Sequence, residues 1–81
     1  MVESKRSGMP DMRPVASSNL AKIGYDVGLR ELHVEFKDGS RHAYQDVYPS
    51  DYAALAGAES VGKHFHSAIR NGGFQSRKVE S

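Results

Sequence analysis

The chain contains neither cysteine nor tryptophan, carries almost no excess of either charge, and never runs apolar for the length a membrane demands. Each absence removes a class of protein. Without cysteine there is no disulfide framework and no thiolate metal ligand, so any core must hold by packing. Without an apolar run of about 18 residues there is no membrane-spanning helix. The opening Met1–Pro10 also lacks the apolar centre of a secretory signal. A soluble, cytoplasmic protein is expected, and 81 residues leave room for one small domain with a modest core.

The net charge of +1 is unevenly spread. Residues 1–14 and 73–81 are each +1. The stretch 15–72 sets Lys22, Arg30, Lys37, Arg41, Lys63 and Arg70 against Asp26, Glu31, Glu35, Asp38, Asp46, Asp51 and Glu59, a balance of −1. A domain that lives by holding phosphates usually shows a basic excess, and this centre does not. The first fourteen residues mix Ser, Gly, Pro and alternating charge, and they read as a flexible arm, as does the tail 75–81. The folded domain is expected over 15–74.

Within that domain the periodicity predicts three strands and then two helices. In Ser18–Tyr25, Leu20 and Ile23 are three apart, so both face inward only if a bulge lies near Ala21 and Lys22. Asp26–Leu29 forms a turn with Gly28 available for a positive φ. Glu31–Lys37 alternates cleanly, with Leu32, Val34 and Phe36 on one face and His33, Glu35 and Lys37 on the other. The next turn sets the register of Ser40–Val47. A two-residue Asp38-Gly39 loop pairs Phe36 with Arg41. A three-residue loop with Gly39 left-handed pairs Phe36 with Ser40, Val34 with His42 and Leu32 with Tyr44. The second register is expected, because it buries more apolar area at about 25 cal/mol per Å².

The first helix starts at Tyr48-Pro49-Ser50, with Asp51 at the positive end of its dipole, and stops at Gly57. Tyr52, Leu55 and Ala56 form its apolar side. The second is capped by Ser60, packs through Val61, Phe65, Ala68 and Ile69, and ends at Asn71-Gly72-Gly73. The expected fold is α+β: a three-stranded antiparallel meander with two C-terminal helices packed on one face.

Little in the chain reads as catalysis. Gly57–His64, GAESVGKH, fits the first seven positions of the phosphate-loop pattern G-x-x-x-x-G-K-[ST]. That pattern needs a buried strand before it, a hydroxyl for magnesium after it and a large sheet behind it. Here a helix precedes it and His64 replaces the hydroxyl, so no nucleotide is expected, and the stretch reads as one helix stop followed by a helix start. His64 and His66 project about 200° apart on a helix, and His33 and His42 fall on opposite strand faces, which excludes a shared ion. Ser17-Ser18 has no positioned base, and no carboxylate pair stands out. No enzyme, metal or cofactor is expected.

The open sheet face offers Lys22, His33, Lys37, Arg41 and Gln45 against Glu35, a patch suited to phosphates but without aromatic platforms for bases.

The order of residues resembles a known family. Ser18-x-Leu20-x-x-Ile23-Gly24-Tyr25-Asp26, Leu32-x-Val34-x-Phe36-x-x-Gly39, Asp46-Val47, Tyr52-x-x-Leu55 and Ser60-x-Gly62-x-x-Phe65-x-x-x-Ile69-Arg70 are together similar to the KTSC domain. That small bacterial domain also occurs at the C-terminus of some lysyl-tRNA synthetases. The resemblance covers about 17–74. The family's central Tyr-x-Tyr is here His42-Ala43-Tyr44, its Val-Pro is Val47-Tyr48-Pro49, and its Tyr-Phe-Asn is His64-Phe65-His66. The synthetase association implies RNA as the partner. A non-enzymatic RNA-binding module is therefore expected, with Lys22, Lys37, Arg41, Lys63 and Arg70 meeting phosphates and His42 or Tyr44 stacking on bases. The alternative is a protein-interaction adaptor using the sheet edge or the helix face.

Overall fold

The computed structural model describes residues 11–79. The alternation of 31–36 becomes the central strand of an antiparallel meander. In sheet order its strands are β1 (Arg13–Pro14), β2 (Leu20–Asp26), β3 (Glu31–Phe36), β4 (Arg41–Tyr44) and β5 (Ser76–Lys78). Two of the sequence expectations about this sheet hold in detail. Ala21 is the extra residue where the β2–β3 register shifts between Leu20 and Lys22, which lets Leu20 and Ile23 both face inward. Across the β3–β4 hairpin, Leu32 pairs with Tyr44 and Val34 with His42. The Phe36 N–H donates to the Ser40 carbonyl at 2.8 Å, and Gly39 takes φ 95° in a three-residue loop.

Two expectations about the sheet fail. Among the described residues it has five strands rather than three. The added strands β1 and β5 fall inside the segments read as flexible arms, 1–14 and 75–81. They show no apolar alternation and are held by backbone pairing, through Val15 N–H to Ala21 O at 3.1 Å on one edge and Gln45 N–H to Gln75 O at 2.8 Å on the other. The remaining arm residues, 1–10 and 80–81, lie outside the described residues. The left-handed residue of the β2–β3 turn is Arg30, at φ 55°, and not Gly28. The loop spans four residues between the paired Asp26 and Glu31, which places its backward step at the last of them. The Asp26 carboxylate accepts from Leu29 N–H at 3.0 Å, and the Arg30 carbonyl accepts from Val47 N–H at 2.9 Å.

One face of the sheet is covered by helices. Helix α1 (Pro49–Ala56) begins at Tyr48, whose N–H donates to the Asp51 carboxylate at 3.2 Å, and ends at Gly57. Helix α2 (Val61–His64) begins at Ser60, whose hydroxyl accepts from Lys63 N–H at 3.4 Å. It runs on without a break into a π-helical turn, Phe65–Arg70. A π turn takes in more residues than the α-helical 3.6, so a spacing of four keeps Val61, Phe65 and Ile69 on one buried line while Ala68 turns outward. That rotation corrects the expected burial of Ala68, and Ala56 of α1 is exposed as well. The core joins Leu20, Ile23, Leu32, Val34, Tyr44 and Val47 with Leu55, Val61, Phe65 and Ile69. Phe65 sits at its centre, edge-on to Phe36 at 5.8 Å and to Tyr44 at 5.5 Å.

Candidate nucleic-acid interface

The seven residues expected at a nucleic-acid surface divide between the two faces of the sheet. Lys22 and Arg41 flank Glu35 on the face away from the helices. Arg41 is engaged there, its guanidinium donating to the Glu35 carboxylate at 3.1 and 3.0 Å. Glu31 and His33 on that face are also paired, while Lys22 is exposed and makes no ion pair among the described residues. Glu31 accepts from Arg77 at 2.9 Å and shares a hydrogen bond of 3.2 Å with His33. Glu31 is 7% exposed and His33 4%, although strand alternation assigns both to solvent. Two neighbours account for this. Arg77, next to Ala43, reaches across β4 to Glu31, and the Met12 side chain lies over Gly24, which is paired with His33. Of the expected phosphate patch, Arg41 and His33 are therefore taken up in internal pairs.

The other five residues gather at the rim of the helical face. Lys37 and Arg70 line one groove with Ser18, Asn19, Phe36 and Asp38. Lys63 lines a second with Ser17, Ser18, Asn19, Ser60 and His66. Because Ser18 and Asn19 border both, the two form a continuous depression along the 17–19 loop. That loop is held in shape by the Ser17 hydroxyl, which accepts from the N–H groups of Asn19 and Leu20, each at 3.2 Å. Its approach to the helix start explains Gly62, where a Cβ would stand 2.7 Å from the Ser17 hydroxyl oxygen. Lys37, Lys63 and Arg70 are all exposed and make no ion pair among the described residues. Sequence reasoning named each of the three, but it could not bring them together, because the groove is built by the helix packing on the hairpin end of the sheet.

His42 and Tyr44 fit the expected stacking role unequally. The Tyr44 ring is only 8% exposed and packs edge-on against Phe65, so it presents no open face. Burial pushes its hydroxyl pKa up, and the nearby Arg70 charge opposes the rise. His42 is half-buried, edge-on to Phe36 at 5.6 Å. Both border a third pocket with Phe74 and Arg70, adjoining the groove at Phe36 and Asp38. Asp38 is held below the usual carboxylate range by hydrogen bonds from the Ser40 hydroxyl at 2.7 Å and the Ser40 N–H at 2.9 Å. No group of three histidines and carboxylates among the described residues is placed to hold a metal ion. No helix among them is long and apolar enough to cross a membrane.

The three central strands, the bulge, the two caps and the Gly62 contact together occupy the stretch that the KTSC family model matches, residues 16–74, with the edge strands β1 and β5 just outside it. The chain belongs to the KTSC domain family. A KTSC domain protein from Yersinia pestis, known from its crystal structure, superposes with a TM-score of 0.83 at 30% identity, covering 89% of this chain and all of that one. An uncharacterized protein of Stutzerimonas stutzeri is 39% identical over 54 residues, 67% of this chain and 76% of its own. Within the KTSC domain, GAESVGKH is the junction between two helices, with Gly57 closing α1 and Ser60 capping α2.

Proposed function

We propose that this KTSC domain is a small non-enzymatic module that binds RNA along the groove between the 17–19 loop, the helix over 61–70 and the β3–β4 hairpin. The observation that carries the reading is the alignment of Lys37, Lys63 and Arg70 on that groove, exposed and without partners among the described residues. Ser17, Ser18 and Asn19 add short polar side chains between the cations, suited to phosphate and ribose oxygens. Lys22 and Arg41 are left out of the interface, since they lie on the opposite face.

The test is a titration of the full chain with labelled RNA at two salt concentrations. Three phosphate contacts on a single strand predict a slope of about −2 in log K against log salt. Replacing Lys37, Lys63 and Arg70 together by Gln removes most of that slope without altering the far-UV spectrum. Absence of binding at about 50 mM salt overturns the proposal, because phosphate contacts are strongest there.

A second reading, a protein-interaction adaptor, is favoured by one observation. The β2–β3 turn exposes Val27 and Leu29, and Arg30 in the same turn lies over the exposed Tyr48 ring at 5.7 Å. A protein retained by the wild type and lost on replacing Val27 and Leu29 by Asp would carry this reading over the first.

A further inference from the structure

We infer that the third pocket, between the β3–β4 hairpin and the segment leading into β5, is a receptacle for one unpaired nucleobase. This deepens the RNA reading of the adjoining groove and rests on it. The pocket measures ≈ 430 Å³, within the range of small-ligand sites. Phe36, His42 and Phe74, each half-buried, line it together with buried Tyr44. Three aromatic and imidazole side chains beside polar groups suit a flat heteroaromatic ring. Ser40 and Ser76 at the margin offer hydroxyls to a base edge. Arg70 borders both this pocket and the groove, so a strand whose phosphate meets Arg70 in the groove has its next base over the rings.

A base inside a duplex has both faces covered by its neighbours, whereas an unstacked base is free to enter. The pocket therefore makes the domain prefer single strands.

The experiment compares a short single-stranded RNA with the blunt duplex of the same sequence, each titrated against the full wild-type chain, Phe74→Ala and Phe74→Leu. The leucine variant keeps apolar volume and removes only the ring, which guards against a folding defect in the alanine variant. The wild type is expected to bind the single strand about tenfold more tightly than the duplex. Both variants should lose about tenfold for the single strand, bind the duplex as before, and keep the same salt slope. If the wild type binds both forms equally, or if Phe74→Leu leaves single-strand affinity unchanged, the base pocket is wrong and the phosphate groove stands. If neither form binds at about 50 mM salt, the groove itself is wrong.

Discussion

The two faces of the sheet carry similar side chains to opposite ends. On the open face each described arginine finds a carboxylate: Arg41 meets Glu35, and Arg77 meets Glu31 alongside His33. At the rim of the helical face Lys37, Lys63 and Arg70 form no ion pair among the described residues, although Asp38 lines the same groove. A count of charges along the chain scores these residues alike. The difference is one of geometry, since strands 4.8 Å apart bring opposite charges into register, whereas a helix packed on a hairpin end brings together residues of distant sequence. Arginine charge on the open face is spent on the fold, whereas the rim cations are exposed and unpaired among the described residues.

The largest test of this division removes the packing that builds the rim. Phe65 is 3% exposed and touches Phe36 and Tyr44 from the π-helical turn. Phe65→Ala should cost about 4 kcal/mol, the usual range for a buried aromatic truncated to alanine. In a domain of this size that is much of the total stability. Urea unfolding measures it, and a cost below about 1 kcal/mol would mean that the helical layer does not lean on this residue.

The next test breaks the open face. Glu31→Ala leaves His33 buried without its acceptor and Arg77 without its carboxylate. Removing one partner of a buried pair costs about 3–5 kcal/mol, but the Arg77 side chain is 49% exposed and recovers part of that from water, so about 2 kcal/mol is expected. The same variant should leave the groove's phosphate affinity unchanged once the folded fraction is accounted for. If RNA affinity at the groove falls as far as stability does, the two faces are not separate, and the comparison collapses.

How much of this was legible in the sequence follows from the range of the interactions involved. The β3–β4 register was legible, because Gly39 and the alternation of 31–36 act within a few residues of one another. The bulge at Ala21 was legible for the same reason, through the three-residue gap between Leu20 and Ile23. The edge strands were not. Arg13–Pro14 and Ser76–Lys78 bury no apolar row, and Arg77 reaches a carboxylate 46 positions away. His33 was assigned to the open face on that account, since its burial beside Glu31 depends on β5 and on Met12. The outward turn of Ala68 has a local cause, the π turn, for which the pattern of apolar residues gave no sign. The cations of the candidate site were visible singly. Their division between the faces depended on tertiary packing.

The smallest effect lies where the two faces meet, at the hairpin tip. Asp38 is exposed, and its carboxyl is held below the ordinary value of 3.8 by hydrogen bonds from the Ser40 hydroxyl and N–H. Because the folded-state pKa lies under the unfolded one, the charged carboxylate contributes stability that is fully present above the unfolded value and is lost as pH falls through the folded value. Replacing Asp38 by Asn keeps an acceptor for Ser40 and removes the charge, so the difference in thermal midpoint between wild type and Asp38→Asn isolates that contribution. The gap should stay constant from neutral pH down to the ordinary carboxylate range and close below it. A gap that persists at the lowest pH at which both chains fold would mean that the tip is held by turn geometry alone, with Gly39 and the three-residue loop setting it and the Ser40 bonds indifferent to charge.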